Sequence, residues 1–180
     1  MAPEAKINLR KATLHDVPLL QHWDTKPHVI DSDPNDDWHW EQELAHEPSW
    51  REQFIAHLDG TPIGFIQIID PFEEESHYWE NVPENLRAID IWIGEAENLA
   101  KGYGTKMMQL AVEHCFKHPE VTAILVDPLE SNTQAHRFYE KLGFRFVEKR
   151  LFGADRCLVY NLDRKDWNHR NKHAGNGLQV

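Results

Sequence analysis

Lys101-Gly102-Tyr103-Gly104-Thr105-Lys106 sits between a strand-like run, Leu86 to Gly94, and a helical run, Met107 to Lys117. Two glycines with one residue between them let the backbone turn without a Cβ penalty and leave room for a ligand against the main chain. The helix that follows offers unpaired N–H groups and the positive end of its dipole at the same point. Lys101, Thr105 and Lys106 add two cations and a hydroxyl. Together these features describe a phosphate cradle. Taken alone, the hexapeptide reads equally well as a glycine-bearing loop before an ordinary helix. The chain on either side decides.

Downstream, Met108, Ala111, Val112 and Cys115 recur at helical spacing, a core-facing stripe. Val121 to Val126 is a β-branched strand that stops at Asp127-Pro128. Ser131-Asn132-Thr133-Gln134 has the spacing of a capping box. The helix it opens puts Ala135, Phe138, Tyr139 and Leu142 on one face, with Gly143 as its stop. Phe144 to Lys149 and Cys157 to Leu162 are expected as two last strands around a loop containing Gly153. From Asp163 the chain is polar and expected to fray, which gives one domain over 1–165 and a flexible tail over 166–180.

Upstream, Leu86 to Gly94 places Ile89, Ile91 and Ile93 on one face and Asp90 and Trp92 on the other. Asp70 to Asn85 is a long loop holding Glu73, Glu74, Glu75, Tyr78 and Trp79, either a binding loop or a solvated excursion. Phe54 to Leu58 and Ile63 to Ile69 are strands, and Asp59-Gly60 between them signals a hairpin. Ile7 to Arg10 is a first strand. Thr13, with Asp16 three residues on, caps a helix carrying Val17, Leu19, Leu20 and Trp23, and Pro27 lies beyond its end. Asp31 to Asp37 is an acidic, turn-rich segment, and Asp36 or Asp37 is expected to cap a second helix with Trp38, Trp40 and Leu44, ended by Pro48.

The 180 residues suffice for one domain with a substantial core. Net charge is −11, from 30 acids against 19 Lys and Arg, which argues against a nucleic-acid footprint and suits a cationic partner or simple solubility. No apolar run reaches the length of a membrane span. Met1 to Lys6 offers no apolar signal segment, and two cysteines, Cys115 and Cys157, give no disulfide framework, so a cytoplasmic location is expected.

The run Ser131-Asn132-Thr133-Gln134-Ala135-His136-Arg137-Phe138-Tyr139-Glu140-Lys141-Leu142-Gly143-Phe144 resembles the segment with which the GNAT acetyltransferase superfamily follows its acetyl-CoA loop. With Lys101 to Thr105 upstream, the resemblance covers roughly residues 86 to 150, and two motifs in the right order are more specific than either alone. Within that superfamily the likeness is strongest to the aminoglycoside 6′-N-acetyltransferases. It rests on Thr61-Pro62-Ile63-Gly64-Phe65, Ala88-Ile89-Asp90, Gly102 to Lys106, Pro119-Glu120-Val121-Thr122 and Asp127-Pro128. Leu99 departs from the pattern, standing where many members have Arg or Gln. The loop from Asp70 and the Asp31 to Asp37 segment lie outside the match.

The resemblance implies a single α/β (α+β) domain. It has a mixed, mostly antiparallel central sheet flanked by helices, with two central strands splayed where acetyl-CoA binds. It implies acetyl transfer from acetyl-CoA to an amine, with no metal required. Ile91, Trp92, Ile93, the stretch Lys101-Gly102-Tyr103-Gly104-Thr105-Lys106, Asn132 and Tyr139 are the expected cofactor contacts. Tyr139 would protonate the departing thiolate, and Asp90 would take the amine proton or bind the ammonium. Asp90, Asp127 and Trp79 are the expected acceptor contacts, and the acids at 31–37 and 73–75 are expected to make the cleft negative. The acceptor expected is a cationic small molecule, most of all an aminoglycoside, bound by a monomer or homodimer. Three alternatives stay open: acetylation of a siderophore precursor or protein N-terminus, which the resemblance also allows because related enzymes do this, a non-catalytic CoA-binding module, and an interaction domain whose acidic loop grips a basic partner.

Overall fold

Residues 5–175 are described in the computed structural model of the chain. Seven strands form one sheet: β1 (Ile7–Lys11), β2 (Arg51–Leu58), β3 (Thr61–Ile69), β4 (Leu86–Ile93), β5 (Ala123–Val126), β6 (Arg145–Phe152) and β7 (Asp155–Asp163). Their order is β1-β2-β3-β4-β5-β7-β6. Only the β4–β5 contact is parallel; the others are antiparallel. Asp59 and Gly60 turn the β2–β3 hairpin with φ of 49° and 87°, the double positive that such a two-residue turn demands.

The parallel pair decides where a site can form. β4 and β5 stay in register for three residue pairs, Leu86–Ala123, Arg87–Ile124 and Ala88–Leu125. β5 then ends at Val126 while β4 runs on to Ile93. The sheet is therefore split at its middle, as expected for two splayed central strands.

Alternation along β4 sends its residues to two different cores. Ile89 and Ile93 join Ile66 and Ile68 of β3 against α4 (Tyr103–Phe116) and α5 (Thr133–Lys141). On the opposite face Ile55 and Phe65 pack against Trp23 of α1 (Val17–Trp23) and Trp40 and Leu44 of α3 (Trp40–Ala45), with Trp92 alongside. Between α1 and α3 lies an unexpected short helix, α2 (Pro27–Ser32), which takes in Asp31 and Ser32 of the segment expected to be turn-rich. Pro27 lies beyond the end of α1, as expected, and occupies the first turn of α2, where its missing N–H costs nothing. α3 is capped by His39 rather than by Asp36 or Asp37, so Trp38 stays outside it.

The chain's end differs from the expected frayed tail. Residues 164–175 form α6 (Arg164–Gly175), anchored by Trp167, which is 9% exposed beside Phe116. Arg164 hydrogen-bonds the carbonyls of Phe116 (3.0 Å), His118 (2.6 Å) and Val121 (2.7 Å), with its guanidinium over the Phe116 ring. One side chain thus satisfies the Phe116 carbonyl, which the end of α4 leaves without a helical partner. Residues 176–180 lie outside the described residues. No described helix is long and apolar enough to cross a membrane.

Candidate active site

Backbone groups come first. Gly94 N–H donates to Ile63 O at 2.9 Å, so by antiparallel alternation Trp92 and Asp90 turn their main chain to β3. Ile91 and Ile93 turn theirs into the split beside β5. Of the three residues expected to offer main-chain groups there, Trp92 is the exception; it reaches the site only with its side chain. His28 Nε2 of α2 lies 2.8 Å from Ile93 O, so that carbonyl already has a partner.

At one end of the split the glycine stretch makes the start of α4. Ala100 and Gly102 both take positive φ, 57° and 80°, and the helix begins at Tyr103. Gly104 and Thr105 therefore belong to the first turn, not to a loop before it. Tyr103, Gly104 and Thr105 hold helix N–H groups that have no partner one turn earlier. A Cβ built on Gly104 would meet Phe138 at 3.6 Å, an ordinary contact, and one on Gly102 would meet nothing within 4 Å. The space in front of these glycines is open, as a phosphate lying on the main chain requires. Lys101 is exposed beside it.

On the far wall, α5 is capped by Asn132, whose Oδ1 accepts the N–H of Ala135 at 3.1 Å. The capping-box spacing alone would put the cap one residue earlier, at Ser131; Asn132 fills the alternative role open to it, that of helix cap. Asn132 and Tyr139 line a narrow cavity of 140 Å³ together with Ile91, Trp92, Asp90 and Asp127. Tyr139 is 7% exposed and packs on the rings of Phe138 and Phe144. Burial and the charges of Asp90 and Asp127 push its phenol well above the usual range, so it stays protonated.

The narrow cavity opens into a wider one of 490 Å³ on the α1–α3 face. Asp33, Asp90, Asp127 and Asp155 stand where the two meet, with Trp38 and Tyr78 as their aromatic walls. Tyr78 Oη donates to Asp127 Oδ2 at 2.7 Å, and Asn35 Nδ2 donates to Asp155 Oδ1 at 2.6 Å. Gln67 Nε2 donates to Asp90 Oδ2 at 3.0 Å. Burial raises Asp33 to about 7, helped by Asp36. Burial raises Asp127 to about 8, helped by Asp90. Burial lifts Asp90 to about 6, against the opposing N–H of Gln67. Carboxylates crowded at a dry junction resist ionising together, and a cation placed among them removes that resistance.

A family model described as Acetyltransferase (GNAT) domain matches residues 12–152. The chain belongs to the GNAT acetyltransferase family. Aminoglycoside N(6′)-acetyltransferase type 1 of Klebsiella pneumoniae is 34% identical over 152 residues, 77% of this chain and 73% of that protein. The lysine N-acyltransferase MbtK of Mycobacterium tuberculosis is 26% identical over 174 residues, 89% of this chain and 79% of that protein. Among solved structures, aminoglycoside acetyltransferase AAC(6′)-Ib in complex with coenzyme A and kanamycin superposes with a TM-score of 0.83. It is 29% identical and covers 92% of this chain and 99% of that one.

Within this GNAT acetyltransferase the acceptor side differs most from expectation. Trp79 is 2% exposed and packs against Phe152, so it backs the cavity wall without offering a ring face. Trp40 is likewise core, its Nε1 donating to Asp24. Tyr78 and Trp38 are the aromatics that reach the carboxylates. Glu74 spends its carboxylate inside its own loop, accepting from Ser76 N–H, Ser76 Oγ and Tyr78 N–H. Glu73 lines a separate groove with Asp70 and Arg87. Asp31 and Glu75 are exposed outside both cavities. Asp155 and Gln67 were missed. Asp155 had no sequence signal beyond its place after Gly153, and Gln67 was one polar residue in an apolar strand. Cys115 and Cys157 sit unpaired in different cores, and burial pushes both thiols up to about 12.

Proposed function

We propose that this acetyltransferase moves the acetyl group of acetyl-CoA to a primary amine of an aminoglycoside. The observation that carries the reading is the junction. A phenol and unpaired strand backbone lie on one side of it, and four aspartates open to a wide cavity on the other. Polycationic sugars fit such a cavity because each ammonium offsets a carboxylate that burial has made reluctant to ionise. The similarity to aminoglycoside N(6′)-acetyltransferases supports the same acceptor class.

Bound acetyl-CoA supplies the activated carbonyl. The residues that fit it are the N–H groups at the start of α4 for phosphate, the Ile91 and Ile93 main chain for the pantetheine arm, and Asn132 through its amide donors. Asp90 binds the incoming ammonium and takes the proton that the amine must lose. Asp127 and Asp155 hold the other ammonium groups of the acceptor, and binding there releases Tyr78 from Asp127. Tyr139 keeps its proton at neutral pH and would give it to a departing thiolate, its phenol being restored by the proton that the amine loses. Trp38 and Tyr78 cover the sugar faces and exclude water.

A panel of aminoglycosides, spermidine, free lysine and peptides, assayed with acetyl-CoA and a thiol reagent, tests the assignment. Aminoglycosides should release thiol fastest. If lysine or peptide N-termini react well and aminoglycosides not at all, the acceptor assignment fails and acetyl transfer survives.

A further inference from the structure

We propose that Glu43, Gln53 and Gln67 form a positioning relay that points an N–H at Asp90 and keeps that carboxylate ionised for the amine. The purpose of the relay rests on the acetyl-transfer reading; its geometry does not. Gln53 lies opposite Gln67 across β2 and β3, and Gln67 lies opposite Asp90 across β3 and β4, so the three side chains form one row on one face. Both amides are buried, at 7% and 8% exposure. Gln53 Nε2 donates to Gln67 Oε1 at 2.8 Å, and Gln67 Nε2 donates to Asp90 Oδ2 at 3.0 Å. At the outer end Gln53 Nε2 also reaches Glu43 Oε2 at 3.3 Å.

A buried amide can turn over with little change of shape, so hydrogen-bond partners decide its direction. Glu43 makes that decision. Its carboxylate only accepts, and Arg51 fixes it through an ion pair while also holding the carbonyls of Glu43 and His46. Gln53 must therefore present its NH₂ outward, Gln67 must present its carbonyl to Gln53, and an N–H is left for Asp90. A protonated Asp90 would instead favour a Gln67 carbonyl. That arrangement requires both amides to turn over, with the Gln53 carbonyl facing the Glu43 carboxylate. The anchor opposes it, so the relay holds the proton off Asp90 and leaves Oδ1 for the ammonium.

Asp127 from the end of β5, Asp33 and Asp36 from the segment after α2, Tyr78 from the long loop and Tyr139 from α5 also face Asp90 electrostatically. Gln53→Met changes none of these charges, which makes it the cleanest probe. Carbon-13 NMR of aspartate-labelled, ligand-free protein, with the Asp90 signal assigned by Asp90→Asn, reads the titration directly. Gln53→Met should move the Asp90 midpoint up by about one pH unit, the scale of one hydrogen bond to a charged group. Gln67→Met should move it at least as far, and the double variant no further than Gln67→Met alone. An unchanged midpoint in folded Gln53→Met overturns the relay. Should that variant not fold, Glu43→Gln serves: losing a nearby negative charge would by itself lower the midpoint, whereas the relay requires a rise, and a fall overturns it. The acid limb of kcat/KM for the amine should follow the midpoint. A midpoint that moves while the limb stays leaves the relay standing and removes Asp90 as the base.

Discussion

The two halves of the proposed site, one for cofactor and one for acceptor, are built on different principles. The cofactor half uses main chain: the first turn of α4, the open edge of β4, and the cap of α5. The acceptor half uses side chains carried by separate segments: Asp33 after α2, Asp90 on β4, Asp127 after β5, Asp155 at the start of β7 and Tyr78 on the long loop. Main-chain recognition needs a particular local conformation and so leaves a compact signature in sequence. Side-chain recognition needs only that folding bring the right groups together, and it leaves almost none.

The largest expected effect separates the halves. Asp90→Asn keeps the side chain's shape and its place beside Gln67 while removing the proposed base. Turnover with the acceptor amine should fall ~100-fold or more, with acetyl-CoA affinity by calorimetry unchanged. A parallel loss of cofactor affinity would show that the two halves are not independent.

Gly104→Val attacks the other half. The nearest protein atom to a new Cβ is 3.6 Å away, so the fold accommodates it, but the side chain occupies the space over the free N–H groups. Acetyl-CoA affinity should weaken at least ~10-fold, more than one unit of log K by the usual conversion. Acceptor binding to the cofactor-free protein should not change. Normal cofactor affinity would move the cradle away from the start of α4.

The smallest effect sharpens the acceptor half alone. Asp33, Asp90 and Asp127 have folded values of about 7, 6 and 8, raised above the ordinary carboxylate value, so the folded chain holds protons that the unfolded chain has released. Their linkage makes stability fall as pH rises from about 4 to about 8. Urea unfolding should show a loss on the order of 1–3 kcal/mol between pH 5 and pH 8. Asp127→Asn should flatten that slope; a slope that is unchanged would place the proton uptake elsewhere.

The same division governs what could be read before folding. Lys101 to Lys106 and the run from Ser131 to Phe144 carried the family, the split sheet and the cofactor, because helix starts and caps are local chemistry. Even there the cap fell on Asn132 and α4 began at Tyr103, since a glycine with positive φ ends a loop without showing which residue starts the helix. Of the acceptor set, Asp90 was legible on the second face of a strand and Asp127 at the end of the next. Tyr78 and Trp79 were not separable by sequence, since neighbours in an irregular loop have no period to say which turns inward. Asp155 and the amide row of Gln53 and Gln67 depend on strand register, which links residues 14 and 23 positions apart and is fixed only when the sheet forms. α6 was missed because its sequence is polar, with Trp167 as its buried apolar residue among the described ones.

Arg164 ties two distant parts of the chain together. The helix whose first turn faces the proposed phosphate site has its last carbonyl met by a residue some fifty positions later. The guanidinium lies over Phe116 at the end of β7 that pairs with the start of β5. The end of α4 away from the proposed phosphate site is thus fastened by a residue remote in sequence, and a chain cut before Arg164 is expected to keep every proposed cofactor contact while that end of the helix is unfastened.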